Sequence, residues 1–354
     1  MSSSPELAAP SLNIPDTLNI ASYFIDSNLA QGRGGNVAVR EVGRTTTYAQ
    51  LAEAVNRAGN ALRDLGVEAE NRVLMVMPDS VEFVAVFFGA AKIGAIPIPV
   101  NTAAKPEDIL YFLNDSGARV LVVQDDIWPS LQPLLAGAPA LAHVLTLPPD
   151  PAQLQASTAT PPRDAQYTFH ALHEVMAAAE PQLEAEPTSK DDMAFFLYTS
   201  GSTGGPKGAV HLHHDMVVST ELYAKNILKI TEKDIFFSAS KLFFAYGLGN
   251  GSYFAFSVGA SVVYNPHKPK PEMILDYIEK FRPTLFFSVP TLYAAMVHQV
   301  EGQKDLSSIR YGVSAGEALP EELFHRFKER FGVEILDGIG STEMLHIFIS
   351  NRPG

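Results

Sequence analysis

The sequence predicts an α/β fold of parallel βαβ units, and three observations lead there. Short apolar runs at 73–77, 119–124 and 193–197 read as buried strands. Such runs alternate along the chain with amphipathic or apolar helical stretches, which implies parallel strands joined by right-handed crossovers. The chain also has the means to bury a large core: 354 residues, 46% of them hydrophobic and 18% charged.

Residues 1–17, rich in Ser and Pro, read as a loose leader. A first α/β subdomain follows over 18–192. In it 44–48 is a hairpin strand, and Thr47 with Gln50 makes a capping-box pattern ahead of a helix from Leu51. Strand 73–77 leads through Asp79-Ser80 into a helix over 81–93, then come strand 96–100, helix 106–113 and strand 119–124. Residues 136–190 change character, with proline breaks at 148–151 and 161–162, and read as a long surface excursion. A second subdomain, 193–354, resumes the alternation. Its helices are expected at 215–228, 248–258, 273–281 and 291–300, and its strands at 235–237, 260–264, 284–287, 309–313 and 333–336. Pro320-Glu321-Glu322 opens one more helix, with proline at its first position and acids in its first turn.

The stretch Tyr198-Thr199-Ser200-Gly201-Ser202-Thr203-Gly204-Gly205-Pro206-Lys207-Gly208 stands out. It follows a buried strand and combines four glycines, four small hydroxyls and one lysine, with no acid. Such a loop can bring backbone N–H groups close to an anion and add hydroxyl donors and a cation. Phosphate oxygens use all three features, so the stretch reads as a nucleotide polyphosphate loop. The P-loop pattern fails at Pro206, where its second glycine belongs, and at Gly208, where its hydroxyl belongs. The G-x-S-x-G nucleophile elbow fails because Ser200 lies two residues before Ser202.

This stretch closely resembles the signature loop of the adenylate-forming superfamily, which holds acyl-CoA synthetases, peptide-synthetase adenylation domains and luciferases. Ser314-Ala315-Gly316-Glu317-Ala318-Leu319-Pro320 is similar to its adenine-side loop, and Asp337-Gly338-Ile339-Gly340-Ser341-Thr342-Glu343 to its YGxTE element, in the family's order. The resemblance implies the large N-terminal domain of such an enzyme: stacked, mostly parallel βαβ subdomains with helices between the sheets. It also implies a reaction. A carboxylate attacks the α-phosphorus of ATP to give an acyl-adenylate and pyrophosphate, and a thiol then displaces AMP.

Thr199, Ser200, Ser202, Thr203 and Lys207, with Gly201 and Gly204, would then hold the β- and γ-phosphates. Thr342 would reach the α-phosphate and Glu343 would hold Mg2+. Thr199, Lys207, Thr342 and Glu343 form the expected catalytic set. The bland reading of Thr342-Glu343 is a cap on a following helix. Gly316, Glu317, Ala318, Gly338 and Ile339 would wall the adenine slot, with Ser341 beside them. His213 would shape the nucleotide site, and Asp337 belongs to the set with its role open. A metal reading of His211, His213 and His214 lacks cysteine and an obvious acidic partner set.

The acid pocket falls on the aromatic stretch 242–250 together with the end of the YGxTE element. Phe244 stands where many relatives carry a histidine. By default such a run is core, but in this context Phe244, Ala245, Tyr246, Gly340, His346 and Ile347 would line a flat slot for a ring. His346 would meet a carboxylate or order a water. Segments 19–26, 243–250, 340–348 and 351–354 resemble the benzoate–CoA ligases, with hydroxy- and aminobenzoate ligases as neighbours. The implied partners are benzoate, ATP with Mg2+, and coenzyme A as co-substrate, with no nucleic acid, no membrane, and a homodimer left open.

A net charge of −13 speaks against a nucleic-acid or anionic-membrane surface. The start Met1-Ser2-Ser3-Ser4-Pro5 lacks the basic and apolar regions of a secretory signal. The absence of cysteine fits a cytoplasmic setting without requiring it. Relatives continue past the YGxTE element with a ribose-binding aspartate and a small C-terminal domain carrying a catalytic lysine. Neither is found before Gly354, so these residues are expected to form most of the large domain alone. Two rival readings are a module that loads an aryl acid onto a carrier protein and a non-catalytic sensor on the same domain.

Overall fold

The structure, a computed structural model, describes residues 12–153, 157–162, 165–199, 205–299, 302 and 304–354. After a helical segment over Ser22–Asp26 and Ser27–Ala30 comes a strand hairpin, β1 (Val37–Glu41) and β2 (Arg44–Thr47). Five strands then follow: β3 (Arg72–Val76), β4 (Ile96–Pro99), β5 (Val120–Gln124), β6 (His143–Leu147) and β7 (Thr168–Ala171). They form an all-parallel sheet in the order β4-β3-β5-β6-β7. A second hairpin, β8 (Met193–Thr199) and β9 (Lys207–Leu212), is a two-stranded sheet of its own. The last strands are β10 (Ile235–Ser238), β11 (Ser261–Val263), β12 (Leu285–Ser288), β13 (Tyr311–Ser314), β14 (Ile335–Gly340) and β15 (Ile347–Ser350). With the first hairpin they build an eight-stranded sheet, order β15-β14-β13-β12-β10-β11-β1-β2, parallel except at its two antiparallel edges.

Strand periodicity sets the layers, because alternate residues point to opposite faces. Val73 and Met75 join a central core between the two sheets, while Leu74 and Val76 face an outer core under helix Pro106–Ser116. In the larger sheet Leu285 and Phe287 face the centre, and Phe286 faces helices Pro271–Phe281, Pro290–Gln299 and Glu321–Phe331 outside. Helices Tyr48–Asp64 and Val81–Lys92 lie in the central layer. The second has almost no exposed residue, as an all-round apolar helix requires. Gly59 and Gly89 let the two helices touch: a Cβ on Gly89 would lie 2.8 Å from the Gly59 nitrogen. Helices between two stacked, mostly parallel sheets are the architecture expected from the sequence.

Several local expectations match. The Thr47 capping box is present, with Gln50 N–H donating to Thr47 Oγ1 at 3.3 Å and Thr47 N–H to Gln50 Oε1 at 2.9 Å. Others need correction. The segment 136–190 is not a surface excursion: it holds β6, β7 and helix Leu172–Ala178. Its strands escaped notice because prolines bracket short runs whose partners lie far off in sequence. The boundary at 192/193 does not divide the sheets either, since β1 pairs in parallel with β11. The described part of the leader is fastened rather than loose. Asp16 pairs with Lys190 at 2.7 Å, and Thr17 bridges to Ser189.

Candidate functional site

The ends of the stretch expected to hold polyphosphate belong to the β8–β9 hairpin, where Thr199 pairs with Lys207 and Tyr198 with Gly208. Ser200, Gly201, Ser202, Thr203 and Gly204 lie outside the described residues. Sequence reasoning missed β9 because Lys-Gly-Ala-Val-His-Leu buries little: Val210 stays 48% exposed and only His211 is fully buried, stacked on Phe195 at 4.9 Å. The Lys207 side chain is exposed and has no ion pair among the described residues.

Two further loops meet at the C-terminal ends of β13 and β14, where open α/β sheets place ligands. Gly316 turns with φ +93°, a conformation that suits glycine, and Glu317 and Ala318 are exposed beside it. Asp337 on β14 fastens the two loops, its Oδ2 accepting the Leu319 N–H at 3.3 Å. Gly338 is buried and Ile339 is 60% exposed. Beyond them the chain makes a tight turn: Ser341 Oγ accepts the Met344 N–H at 3.2 Å, and the Thr342 carbonyl accepts the Leu345 N–H at 2.9 Å. Leu345 takes φ +65°, rare for a bulky residue and a sign of local strain. No helix follows, so Thr342-Glu343 is not a helix cap; the turn leads into β15. It leaves Thr342 half-buried and the Glu343 carboxylate exposed.

The next turn carries His346, which is 2% exposed. Its ring lies against Tyr223 and Tyr246, both at 5.3 Å, and Phe254 at 4.5 Å. Its Nε2 meets Asn250 Oδ1 at 3.0 Å, while its Nδ1 is buried without a partner. Burial pushes this imidazole down to about 3, so it is neutral at neutral pH. His346 is therefore not a cation that could face a carboxylate. The helix Ala245–Leu248 begins three residues earlier than the periodicity suggested; Tyr246 lies in it, and its hydroxyl donates to the Val313 carbonyl at 3.0 Å. Gly340 sits behind His346: a Cβ there would lie 2.7 Å from the His346 oxygen.

Two expected residues are placed elsewhere. Phe244, 48% exposed, lines a separate cleft of about 610 Å³ with Asn101, Lys241 and Lys268. His213 is 1% exposed, accepts the Ile20 N–H on Nδ1 at 3.2 Å, and is held neutral by burial, down to about 4. It ties the early chain to the hairpin. Its neighbour His214 instead lines a groove of about 560 Å³ with Asp215, Tyr223, Glu343, Ile347 and Arg352. The acidic partner judged missing is Asp215, which meets His211 at 3.1 Å and His214 at 3.2 Å. Burial works to raise the Asp215 carboxyl, but hydrogen bonds from His211 and the Leu212 N–H outweigh it and hold it low. No cluster able to hold a metal through three His, Cys or acidic side chains exists among the described residues.

A family model described as AMP-binding enzyme matches residues 27–354. The chain belongs to the AMP-binding enzyme family. The chain is 44% identical to a benzoate–CoA ligase of Thauera aromatica over 98% of its own length and 63% of the relative's. It is 37% identical to a 4-hydroxybenzoate–CoA/benzoate–CoA ligase of Rhodopseudomonas palustris, over 95% of the chain and 60% of the relative. The chain thus spans about three-fifths of the length of the curated relatives it matches. Its fold superposes on the anthranilate CoA ligase AuaEII in complex with anthranoyl-AMP with a TM-score of 0.89 at 37% identity, covering 96% of this chain and 63% of that one. For a benzoate CoA ligase from Burkholderia xenovorans LB400 the TM-score is 0.83 at 40% identity, with 94% and 63% covered.

Several residues around His346 and Tyr246 were not assigned from sequence. Asn250 and Gly249 ended the aromatic stretch without a role, yet one hydrogen-bonds His346 and the other makes room for it. A Cβ on Gly249 would lie 2.6 Å from His346 Cδ2. The spacing G-L-G-N was the available signal. Ser288 and Ser314, fully buried with unpartnered hydroxyls near the Tyr246 hydroxyl, left none.

Proposed function

We propose that this AMP-binding enzyme is the large domain of a benzoate–CoA ligase. ATP and benzoate would give benzoyl-AMP and pyrophosphate, and CoA would then form benzoyl-CoA with release of AMP. The observation that carries this reading is one turn of chain. It exposes the Glu343 carboxylate and, three residues on, seats His346 among Tyr223, Tyr246 and Phe254. An acidic ligand for a nucleotide-bound cation and an uncharged aromatic wall thus share one backbone segment. A neutral wall suits an unsubstituted ring, and the benzoate ligases among the relatives support that choice.

Each part has its own task. Lys207 and Thr199, at the mouth of the hairpin, would neutralise and orient the triphosphate together with the loop between them. Thr342 would reach the α-phosphate. Gly316, Glu317, Ala318, Gly338, Ile339 and Ser341 would hold the base, with Asp337 fixing the two loops to each other. Ala245, Tyr246, Gly340, His346 and Ile347 would hold the ring, excluding water from the acyl phosphate bond. The exposed Glu343 carboxylate, in no ion pair among the described residues, would fit Mg2+, which keeps most of its ligands as water and phosphate oxygens. When bound there with ATP, the ion would neutralise phosphate charge. No described helix is long and apolar enough to cross a membrane, and we infer a cytoplasmic enzyme.

The test is a thermal-shift panel of benzoate, its hydroxy and amino derivatives, long-chain fatty acids, and ATP with Mg2+. A ligand that binds only the folded state raises apparent stability with the logarithm of its concentration over Kd. Benzoate and Mg-ATP should each raise Tm. A response to fatty acids with none to benzoate would end this reading.

A further inference from the structure

The stretch that carries Ala245 and Tyr246 is fastened to the layer of the smaller sheet by the Asp79 carboxylate. Asp79 lies in the loop between β3 and the central helix Val81–Lys92, one residue before the helix cap Ser80. It is buried, and its Oδ1 accepts the Leu242 N–H at 2.9 Å. Its Oδ2 lies 3.4 Å from Lys241 Nζ, which also donates to the Asn265 carbonyl. Burial pushes the Asp79 carboxyl up, while Lys241 and the Leu242 N–H oppose that, so its charge depends on these two partners. From this clamp the chain turns directly into the helix Ala245–Leu248. The Phe244 N–H donates to the Lys241 carbonyl at 3.0 Å, and the Leu248 N–H to the Phe244 carbonyl at 2.7 Å. A Cβ on Gly247 would run into the Lys241 carbonyl, so turn and helix touch main chain to main chain and move together. The Tyr246 ring is thus set from two sides, by β13 through its hydroxyl and by Asp79 through the backbone four residues earlier.

We propose that Asp79 is a positioning residue for the ring acid: by fixing the turn 241–244 it sets where Ala245 and Tyr246 stand. The proposal rests on the reading of Ala245, Tyr246 and His346 as walls of the ring slot. Asp79 is given no place at the ligand and acts through the Leu242 main chain. A buried ion pair adds little net stability over an apolar pair of the same shape; its use here is to define one arrangement of the chain that follows. A wall already in place also spares the ligand the cost of ordering it on binding.

The experiment uses the whole 354-residue chain with Asp79→Asn, which keeps an oxygen for the Leu242 N–H, and Asp79→Ala, which does not. Calorimetry measures Kd for benzoate and, separately, for ATP with Mg2+. Asp79→Ala should weaken benzoate by ~5–20-fold, the scale of one buried hydrogen bond to a charged acceptor, and leave ATP within ~2-fold. Asp79→Asn should recover most of the benzoate affinity, even though losing the charge opposite Lys241 lowers Tm. Where Asp79→Ala gives no folded protein, Asp79→Ser, too short to reach the Leu242 N–H, takes its place. Equal losses for both ligands mark a merely structural role and overturn the proposal. Benzoate affinity of wild-type size in Asp79→Ala overturns it too, as does an Asp79→Asn variant no better than Asp79→Ala. Wild-type protein that binds ATP but no benzoate overturns the reading of the ring slot itself.

Discussion

The Gly249 Cα faces the His346 ring so closely that any side chain would enter it: a Cβ would fall 2.6 Å from Cδ2 and 3.1 Å from Nε2. Gly249→Ala should therefore displace the imidazole from Asn250 and Tyr246. We expect benzoate affinity to fall by ~10-fold or more, as overpacking strain of ~1–3 kcal/mol implies, with ATP affinity nearly unchanged. Calorimetry with the two ligands checks this, and an equal loss of both would contradict it.

Asn250→Leu removes the acceptor for His346 Nε2 in a site with no water-exposed alternative. A buried donor left without a partner costs ~1–3 kcal/mol, so urea unfolding should show a loss in that range.

His346 and His213 are both buried and neutral, pushed down to about 3 and about 4. The unfolded chain takes up their protons near pH ~6.5 while the folded one does not. Their stabilising contribution is thus complete above that pH and is lost progressively as pH falls, toward about 4 for His213 and about 3 for His346. Each adds a slope of ~1.4 kcal/mol per pH unit inside the window. Comparing wild type with His346→Phe by urea unfolding from pH 7 to 4.5, the wild-type curve should fall more steeply on acidification. Parallel curves would disprove the burial of a neutral imidazole.

Lys92 is buried, its Nζ 2.7 Å from both Asp26 and Asn56, whereas the Asp26 side chain is 35% exposed. The two partners should respond unequally to removal. Asp26→Ala leaves a charge uncompensated in the interior and should cost ~3–5 kcal/mol, while Lys92→Met, which lets Asp26 hydrate, should cost far less. Thermal unfolding of the two variants reads the asymmetry directly.

Glu343→Gln should remove most of the Tm increase produced by Mg-ATP while sparing that from benzoate. A metal-dependent shift of wild-type size in the variant would remove Glu343 from the proposed site.

Features encoded locally were the legible ones. The Thr47–Gln50 cap, the apolar helix after Ser80 and the strands at 73–76 and 285–288 announce themselves through periodicity and end signals. The three motifs that carry the family resemblance were readable because glycine and hydroxyl patterns are tied to close backbone approach. What stayed hidden depends on partners distant in sequence. Strand β9 is held by its ladder to β8 rather than by an apolar face, and β6 and β7 by parallel neighbours. The protonation of His346 is likewise invisible in sequence, since it follows from the rings packed around it. Phe244 was grouped with Tyr246, two residues on, by sequence alone; its side chain lines the cleft with Asn101, Lys241 and Lys268.

The pairing of β1 with β11 bears on the order in which this molecule can assemble during synthesis. Every strand of the smaller sheet has left the ribosome by Ala171, so that layer can close early. The ribbon from Val37 must instead wait for Ser261–Val263, its contact Arg40–Ser261 spanning 221 positions. Until then a nascent chain carries an unsheltered strand edge, which makes this ribbon the natural place for a chaperone to hold and for premature association between neighbouring nascent chains to begin.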